Sequence, residues 1–328
     1  MKIKNFKVLV LFLVGIFSIV WIFNFFSGSE ALTLIKNHKI QMLFLLIAHI
    51  PTLFFDSLSW MILMKKKNFG LIWSFIITWI SQTAGKIMPT GNVTGEFVRI
   101  YLSVKKGMST PEASSTVIGD LAIATFSLLL MAIISFFFVI GMNENVTLDN
   151  QKFFYIVYAI TLMIFLSAIF IFCIRKRLLK KLVLKLKNFY QFSKKLKKTT
   201  INIIRLDYEL YKLSFKIKVL FYSLFLRLFG WIGGAFEIYV FLFILGIDVS
   251  LLDVIIIEAF TGIARAVVFF IPAGLGVQEF AFILIGNFVG LSTPISFAMA
   301  IGRRIREILV GLPAIITWYV LFSKIKDK

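Results

Sequence analysis

The sequence predicts an all-α polytopic membrane protein with about six full spans and two broken or re-entrant helical hairpins, the hairpins related as an inverted repeat. Three observations carry this prediction. Of the 328 residues, 59% are hydrophobic and only 16% charged, and the mean hydropathy is +0.93, beyond what a water-soluble fold of this size carries. Apolar runs of about 20 residues, the length that crosses a bilayer, alternate with short lysine-rich breaks. Two further apolar runs are interrupted by Gly and Pro at matching spacing. Such a composition excludes a cytoplasmic enzyme and a disordered tail, and a single cysteine excludes a disulfide-built secreted domain.

The run 8–26 follows Lys2, Lys4 and Lys7. It is longer than a signal-peptide core and lacks a small-residue cleavage site, so it reads as a retained span with a cytoplasmic N-terminus. The run 40–64 closes with Lys65, Lys66 and Lys67. Lysines mark the inner face, which makes 27–39 a short external loop. Residues 117–141 form a span that leads into the weakly acidic 142–152. Residues 153–174 return, and 219–245 cross outward again. The last run, 307–322 with 297–306 upstream, ends in SKIKDK, placing the C-terminus in the cytoplasm. The protein is therefore expected in the cytoplasmic membrane.

The net charge is +20, and residues 175–218 carry 15 Lys/Arg against Asp207 and Glu209 alone. Set between apolar spans, this segment meets anionic lipid more simply than nucleic acid. Its LLKKLVLKLKNFYQFSKKLKK pattern predicts one or two helices in the cytoplasmic interface. The chain thus divides into a first membrane half (1–174, with the broken segment 69–104), the basic interfacial segment (175–218), and a second membrane half (219–328, with the broken segment 251–298).

Lysines flank both ends of 69–104, so both ends are inside, whereas the topology puts both ends of 251–298 outside. Two re-entrant hairpins entering from opposite faces satisfy both constraints. Their breaks align: Pro89, Gly91, then Glu96-Phe97; Pro272, Gly274, then Glu279-Phe280. Interrupted segments at corresponding places in two halves point to a transporter's binding site. Proline removes a donor and glycine permits close approach of backbone to a partner. Irregular backbone at membrane depth is tolerated only when buried in protein or lining a wet cavity. Gly91, Gly95, Gly274 and Gly276 are therefore expected to line the site with Pro89 and Pro272, and Gly85 to be more than a loop glycine; surface turns are the competing reading.

Ionisable groups inside spans are costly and usually face a cavity or pair within the bundle. These are Asp56, Lys86, Glu96, Arg99, Asp120, Glu237, Glu258, Arg265, Glu279, Arg303, Arg304, Arg306 and Glu307. Glu96 and Arg99 share a helical face beside the first break, as do Arg304 and Glu307 in the last span. Arg99 suits a lipid phosphate through its bidentate fork, with Glu96 orienting it or meeting a cationic group; a purely structural pair is the alternative. Arg265 precedes the second break and Glu279 follows it. Asp56 and Asp120 suit interhelical hydrogen bonds or a proton relay. His38 and His49 make no metal set, and neither a phosphate-binding loop nor a Ser-His-Asp arrangement is present.

The motifs PTGNVTGEFVRIYLSVKKG and IPAGLGVQEF, followed by an arginine-bearing final span, resemble the flippase-like transmembrane domain of lysylphosphatidylglycerol synthases. The resemblance runs over nearly the whole chain. It implies several spans with central re-entrant elements and a lipid-moving function. It carries over at Pro89, Gly95, Glu96 and Arg99, at Pro272, Gly274, Gly276 and Glu279, and at Arg304. One position departs: the family often has a Glu-Arg pair ahead of the aspartate matched by Asp120, and here Thr116 and Val117 stand there. The chain resembles the transporter half of the synthases and not the aminoacyl-transferring half.

The expected function is a lipid transporter or flippase for an anionic or zwitterionic phospholipid, aminoacylated or not, or a lipid-linked headgroup. It is expected to be no enzyme and to need no cofactor or metal. Its expected substrate-binding residues are Glu96, Arg99, Asp120, Arg265, Glu279 and Arg304. The alternative is an accessory protein docking a lipid- or envelope-modifying enzyme. The sequence is compatible with a homodimer.

Overall fold

Long apolar runs rich in Leu, Ile and Phe leave the backbone no partner in hydrocarbon except itself, and helices are the outcome. The computed structural model of the chain describes residues 17, 20–26, 28–65, 69–87, 92–142, 150–189, 194–268, 271 and 274–322. Within them the order is α1 (Gly28–Asn37), a 3-10 turn (Gln41–Leu43) running into α2 (Phe44–Ala48), α3 (Ile50–Leu63), α4 (Leu71–Ile87), α5 (Asn92–Lys105), α6 (Thr110–Met142) and α7 (Asn150–Arg175). Then come α8 (Leu178–Phe189), α9 (Lys194–Leu213), α10 (Ile217–Ile244), α11 (Leu251–Val267), α12 (Val277–Phe288) and α13 (Thr293–Phe322). There is no strand among the described residues.

Four of these helical stretches are long and apolar enough to cross a membrane: Gln41–Leu63, Thr110–Phe138, Ile217–Ile244 and Thr293–Phe322. Two shorter apolar stretches, Ile164–Arg175 within α7 and Val277–Phe288, accompany them. The chain is therefore a multi-pass, all-α membrane protein. The expected first span, 8–26, lies mostly outside the described residues, as do 143–149 of the expected outer loop. The expected external loop at 27–39 is corrected. Residues 28–37 form a helix rather than a loop, because Ala31 and Ile35 fall one turn apart and bury a stripe in the core beside α13.

Helices α4 and α5 pack together as one hairpin and α11 and α12 as another. With 17, 14, 17 and 12 residues, each arm is shorter than the roughly 20 that a full crossing takes. The open end of the first hairpin lies among lysines: Lys106 Nζ sits 3.3 Å over the Trp73 ring. Lys65, at the end of α3, meets Glu112 at the start of α6 and Glu209 on α9, at 3.7 and 3.4 Å. The second hairpin opens at the far end of α10, where Tyr239, Ser250, Asp253 and Gly290 line a cavity of about 390 Å³. It closes sooner than expected, at Phe288 rather than 298, because Thr293-Pro294 already begins the last helix, with proline free to sit in a first turn.

Two large apolar cores result, beside a small third cluster of Leu63, Ile123 and Leu213. One joins Leu45, Ile238, Phe241, Ile257, Phe282 and Phe297; the other joins Trp60, Ile77, Ile80, Leu102, Val117 and Ala314. Helix α13 runs through both, with Phe297–Ala300 in the first and Ala314 and Phe322 in the second. Its charged run, Arg303–Glu307, falls between them, about 15 Å along the helix at 1.5 Å per residue.

Candidate functional site

Between the two cores lies a buried polar layer, and almost every intramembrane charge belongs to it. Its first half centres on Asp120 of α6, which is fully buried. Asp120 Oδ2 accepts from Arg99 Nη1 of α5 at 2.6 Å and from Arg227 Nη2 of α10 at 2.8 Å. Arg227 Nη1 continues to Asp56 Oδ1 of α3 at 2.6 Å, and Gln82 of α4 donates to Asp56 Oδ2 at 2.8 Å. Glu96 Oε2 stands 3.5 Å from Arg99, and the Arg99 guanidinium lies 5.0 Å over the Trp60 ring. Five helices thus meet through one chain of charge-assisted hydrogen bonds, the strong kind in a dry interior.

The second half centres on Glu237 of α10 and Glu258 of α11. Arg306 Nε donates to Glu237 Oε1 at 2.8 Å, and Arg303 Nη2 donates to Glu258 Oε2 at 2.6 Å. His49 Nδ1 is 2.9 Å from Glu237 Oε2, and its Nε2 is 3.4 Å from Arg306 Nη1. A guanidinium can only donate, so Nε2 accepts and the proton sits on Nδ1, aimed at Glu237. Arg265 reaches Glu258 Oε1 at 3.2 Å. Helix α10 admits both sets of carboxylates because it is glycine there: a Cβ at Gly230 would start 2.5 Å from Asp56 Oδ1, and one at Gly234 would start 2.9 Å from Glu258 Oε1.

The hairpins meet this layer at α13. Glu279, in the first turn of α12, accepts from the Gly276 N–H at 2.8 Å and from Arg304 Nε at 2.7 Å. Arg304 Nη2 also reaches the Gly274 carbonyl at 3.4 Å, and Nη1 reaches Glu307 Oε2 at 3.1 Å. Glu307 Oε1 in turn faces Lys86 Nζ, near the tip of the first hairpin, at 3.7 Å. One path of ion pairs therefore links the Gly274 turn of the second hairpin to the end of α4. Gly274 and Gly276 hold φ of +60° and +81°, the left-handed region that favours glycine. Beside Lys86 and Glu307, a cavity of about 10 Å³ is lined also by His49, Gln82, Thr83 and Arg306, room for a single water.

All six expected substrate-binding residues lie in this layer. Glu96, Arg99 and Asp120 come together in one half, and Arg265, Glu279 and Arg304 in the other. Arg265 and Glu279, which flank the second break, do not pair with each other. Gly95 does not form the break: it lies inside α5, where its missing side chain lets the helix approach α4. A Cβ there would stand 2.5 Å from the Ser81 carbonyl and 3.1 Å from Gly85 Cα. Pro89, Gly91 and Pro272 lie outside the described residues. The sequence reading missed Arg227, His49 and Gln82. Arg227 is the lone Lys/Arg between Lys218 and Arg265, so the rule that singled out Asp120 also singles it out. Among the described residues no three His, Cys, Asp or Glu side chains gather as a metal site requires.

The family model for the lysylphosphatidylglycerol synthase transmembrane region matches residues 7–314. No curated protein and no solved structure matches the chain. The matched region is the non-catalytic membrane part of these synthases, distinct from their aminoacyl-transferring part. It contains both hairpins, both halves of the polar layer and the greater part of α13, so the chain belongs to the lysylphosphatidylglycerol synthase transmembrane-region family.

Proposed function

We propose that this protein moves a phospholipid, or a lipid-linked headgroup of anionic or zwitterionic character, across the cytoplasmic membrane. The observation that carries the proposal is the ion-pair path from Lys86 through Glu307 and Arg304 to Glu279 and Gly274. It joins two short hairpins, opening toward opposite ends of the bundle, at the middle of the long α13. Gly/Pro-interrupted segments in corresponding places of two halves, with a polar site between them, are how alternating-access transporters are built. In this reading the fold has six spans and two re-entrant hairpins in an inverted repeat, with both termini cytoplasmic.

Arg304, Arg265 and Lys86 have side chains 20, 24 and 27% exposed, whereas Arg99, Arg303 and Arg306 are at most 4% exposed. The three accessible cations are the ones a lipid phosphate can reach; an arginine fork takes it in bidentate fashion. Glu279 and Glu307 hold Arg304 until a phosphate competes for it. The deeply buried pairs around Asp120 hold the helices that carry the site. With room for about one water beside Lys86, this arrangement is closed, and a headgroup passes only when the hairpin tips part.

The test is lipid translocation in proteoliposomes of the purified protein, with labelled phosphatidylglycerol, lysyl-phosphatidylglycerol and phosphatidylethanolamine. Faster movement of at least one headgroup is expected, reduced roughly tenfold or more in Arg304→Ala and Glu279→Ala that remain monodisperse and helical. Movement no faster than in protein-free vesicles, with folded protein and under an imposed proton gradient as well, would overturn the transporter reading and leave the accessory role.

A further inference from the structure

We infer that α8 lies in the plane of the membrane surface and binds anionic lipid, and that a buried carboxylate on α9, Asp207, aims it there. This inference does not depend on whether the protein moves lipid.

The turn between α7 and α8 is made by Arg177, whose φ is +52°, the one positive value at a non-glycine among the described residues. A long side chain in the left-handed region is disfavoured and persists only where its surroundings enforce it. Here the enforcement is Asp207. It is 3% exposed, and its Oδ2 accepts from Arg177 Nε at 2.7 Å while Oδ1 accepts from the Lys180 N–H at 3.2 Å. One carboxylate thus fixes the turn and satisfies an N–H in the first turn of α8, where negative charge also suits the helix dipole. The Arg177 guanidinium is held from its other side by the rings of Tyr208 and Tyr211, at 5.2 and 5.7 Å. These contacts fix the direction in which α8 leaves the end of α7.

The faces of α8 name its partner. Lys180 and Val183 are half-buried, α8 packs against α9, and the Lys180 N–H meets Asp207 there. Leu178, Leu179, Leu182 and Leu186 form an exposed stripe at helical spacing, with Leu182 56% exposed. Lys181 and Lys185 are exposed beside the stripe, and α8 contains no acid. A leucine stripe flanked by lysines suits the headgroup–acyl boundary of an anionic leaflet and suits water poorly. The position agrees: α8 follows directly on α7, and Arg175 lies 5.2 Å over Phe215 at the entrance to α10, the end where Lys65 meets Glu209. Helix α9 differs, since Leu210 and Leu213 are buried and Leu213 packs against Leu63 and Ile123 of the bundle.

The test uses the full-length protein with Cys173→Ser, so that one introduced cysteine carries a polarity-sensitive fluorophore at Leu182 or at Lys181. Vesicles are three parts phosphatidylcholine to one part phosphatidylglycerol, with a nitroxide on one lipid or the other. The fluorophore at Leu182 is expected to be quenched by lipid nitroxide and shielded from aqueous iodide, and that at Lys181 to be open to iodide. Nitroxide on phosphatidylglycerol is expected to quench at least twice as well as on phosphatidylcholine, and Lys181→Gln with Lys185→Gln is expected to abolish that preference. A Leu182 site open to iodide and untouched by either lipid would overturn the inference and identify α8 as a docking face for a soluble protein. Equal quenching by both lipids would overturn the anionic preference. Asp207→Asn is expected to double iodide access at Leu182, with the more exposed Arg177→Gln as the second variant should the first not fold. Unchanged access in a folded variant would overturn the role of Asp207.

Discussion

The two halves of the polar layer solve the same problem with opposite wiring. Around Asp120 the charges come from many helices: Arg99 from α5, Arg227 from α10 and Asp56 from α3 converge on a small volume. Around Glu237, Glu258 and Glu279 three of the cations, Arg303, Arg304 and Arg306, come from a single helix, α13, and Arg265 of α11 joins them at Glu258. A hub fed by many helices resists any one of them moving. A ladder on one helix lets a neighbour change partners by stepping along it. The difference predicts holding in the Asp120 half and rearrangement in the α13 half.

The sharpest way to break this comparison is Asp120→Asn. It removes the counter-ion that Arg99 and Arg227 share. Arg99 keeps Glu96 at 3.5 Å and Arg227 keeps Asp56 at 2.6 Å, but both guanidiniums are buried, and breaking a buried pair typically costs about 3–5 kcal/mol. The expected outcome is loss of a cooperative thermal transition in detergent, or failure to purify as a monodisperse species. The same change in the other half, Glu279→Gln, is expected to lower stability by no more than about 1–3 kcal/mol, because Arg304 keeps Glu307 and is part exposed. Equal melting-temperature losses in the two variants would sink the division of labour.

Next in size is Gly95→Val. The contact distances at Gly95 leave no space for a branched side chain between α4 and α5, and overpacking of this kind costs about 1–3 kcal/mol. A lower melting temperature is expected, with more proteolytic cleavage at the first hairpin than at the second. Arg304→Lys sharpens the contrast from the functional side. The single ammonium keeps the charge but cannot span Glu279, Glu307 and the Gly274 carbonyl together, so translocation is expected to fall severalfold with little change in melting temperature. The smallest effect is expected at Lys65→Ala, whose side chain is 54% exposed between Glu112 and Glu209. Less than about 1 kcal/mol should be lost, and that loss should vanish in high salt.

What could be read from the sequence divides along the same line as local and distant contacts. The spans at 40–64 and 219–245 correspond to Gln41–Leu63 and Ile217–Ile244 because hydropathy over such lengths is itself the physics of insertion. The pairs Glu96–Arg99 and Arg304–Glu307 followed from three-residue spacing and form at 3.5 and 3.1 Å. Arg227 escaped notice because its partners, Asp120 and Asp56, lie more than a hundred residues away, and no periodicity links them. His49 was weighed as a metal ligand and set aside; its use between Glu237 and Arg306 depends on α10 and α13 passing on either side of it. Residues 28–37 read as a loop because a ten-residue helix with three buried positions, one of them a glycine, leaves little hydropathic trace.

The balance of signs in the polar layer has an electrical consequence. Its seven carboxylates, Asp56, Glu96, Asp120, Glu237, Glu258, Glu279 and Glu307, are matched by Lys86, Arg99, Arg227, Arg265, Arg303, Arg304 and Arg306. An elementary charge displaced through the full membrane field exchanges about 2.3 kcal/mol with every 100 mV. A layer of zero net charge that shifts as a body exchanges almost none. In formal charges the α13 half holds five cations, Lys86, Arg265, Arg303, Arg304 and Arg306, against four carboxylates, so a shift of that half alone would couple to the membrane field where a shift of the whole layer would not.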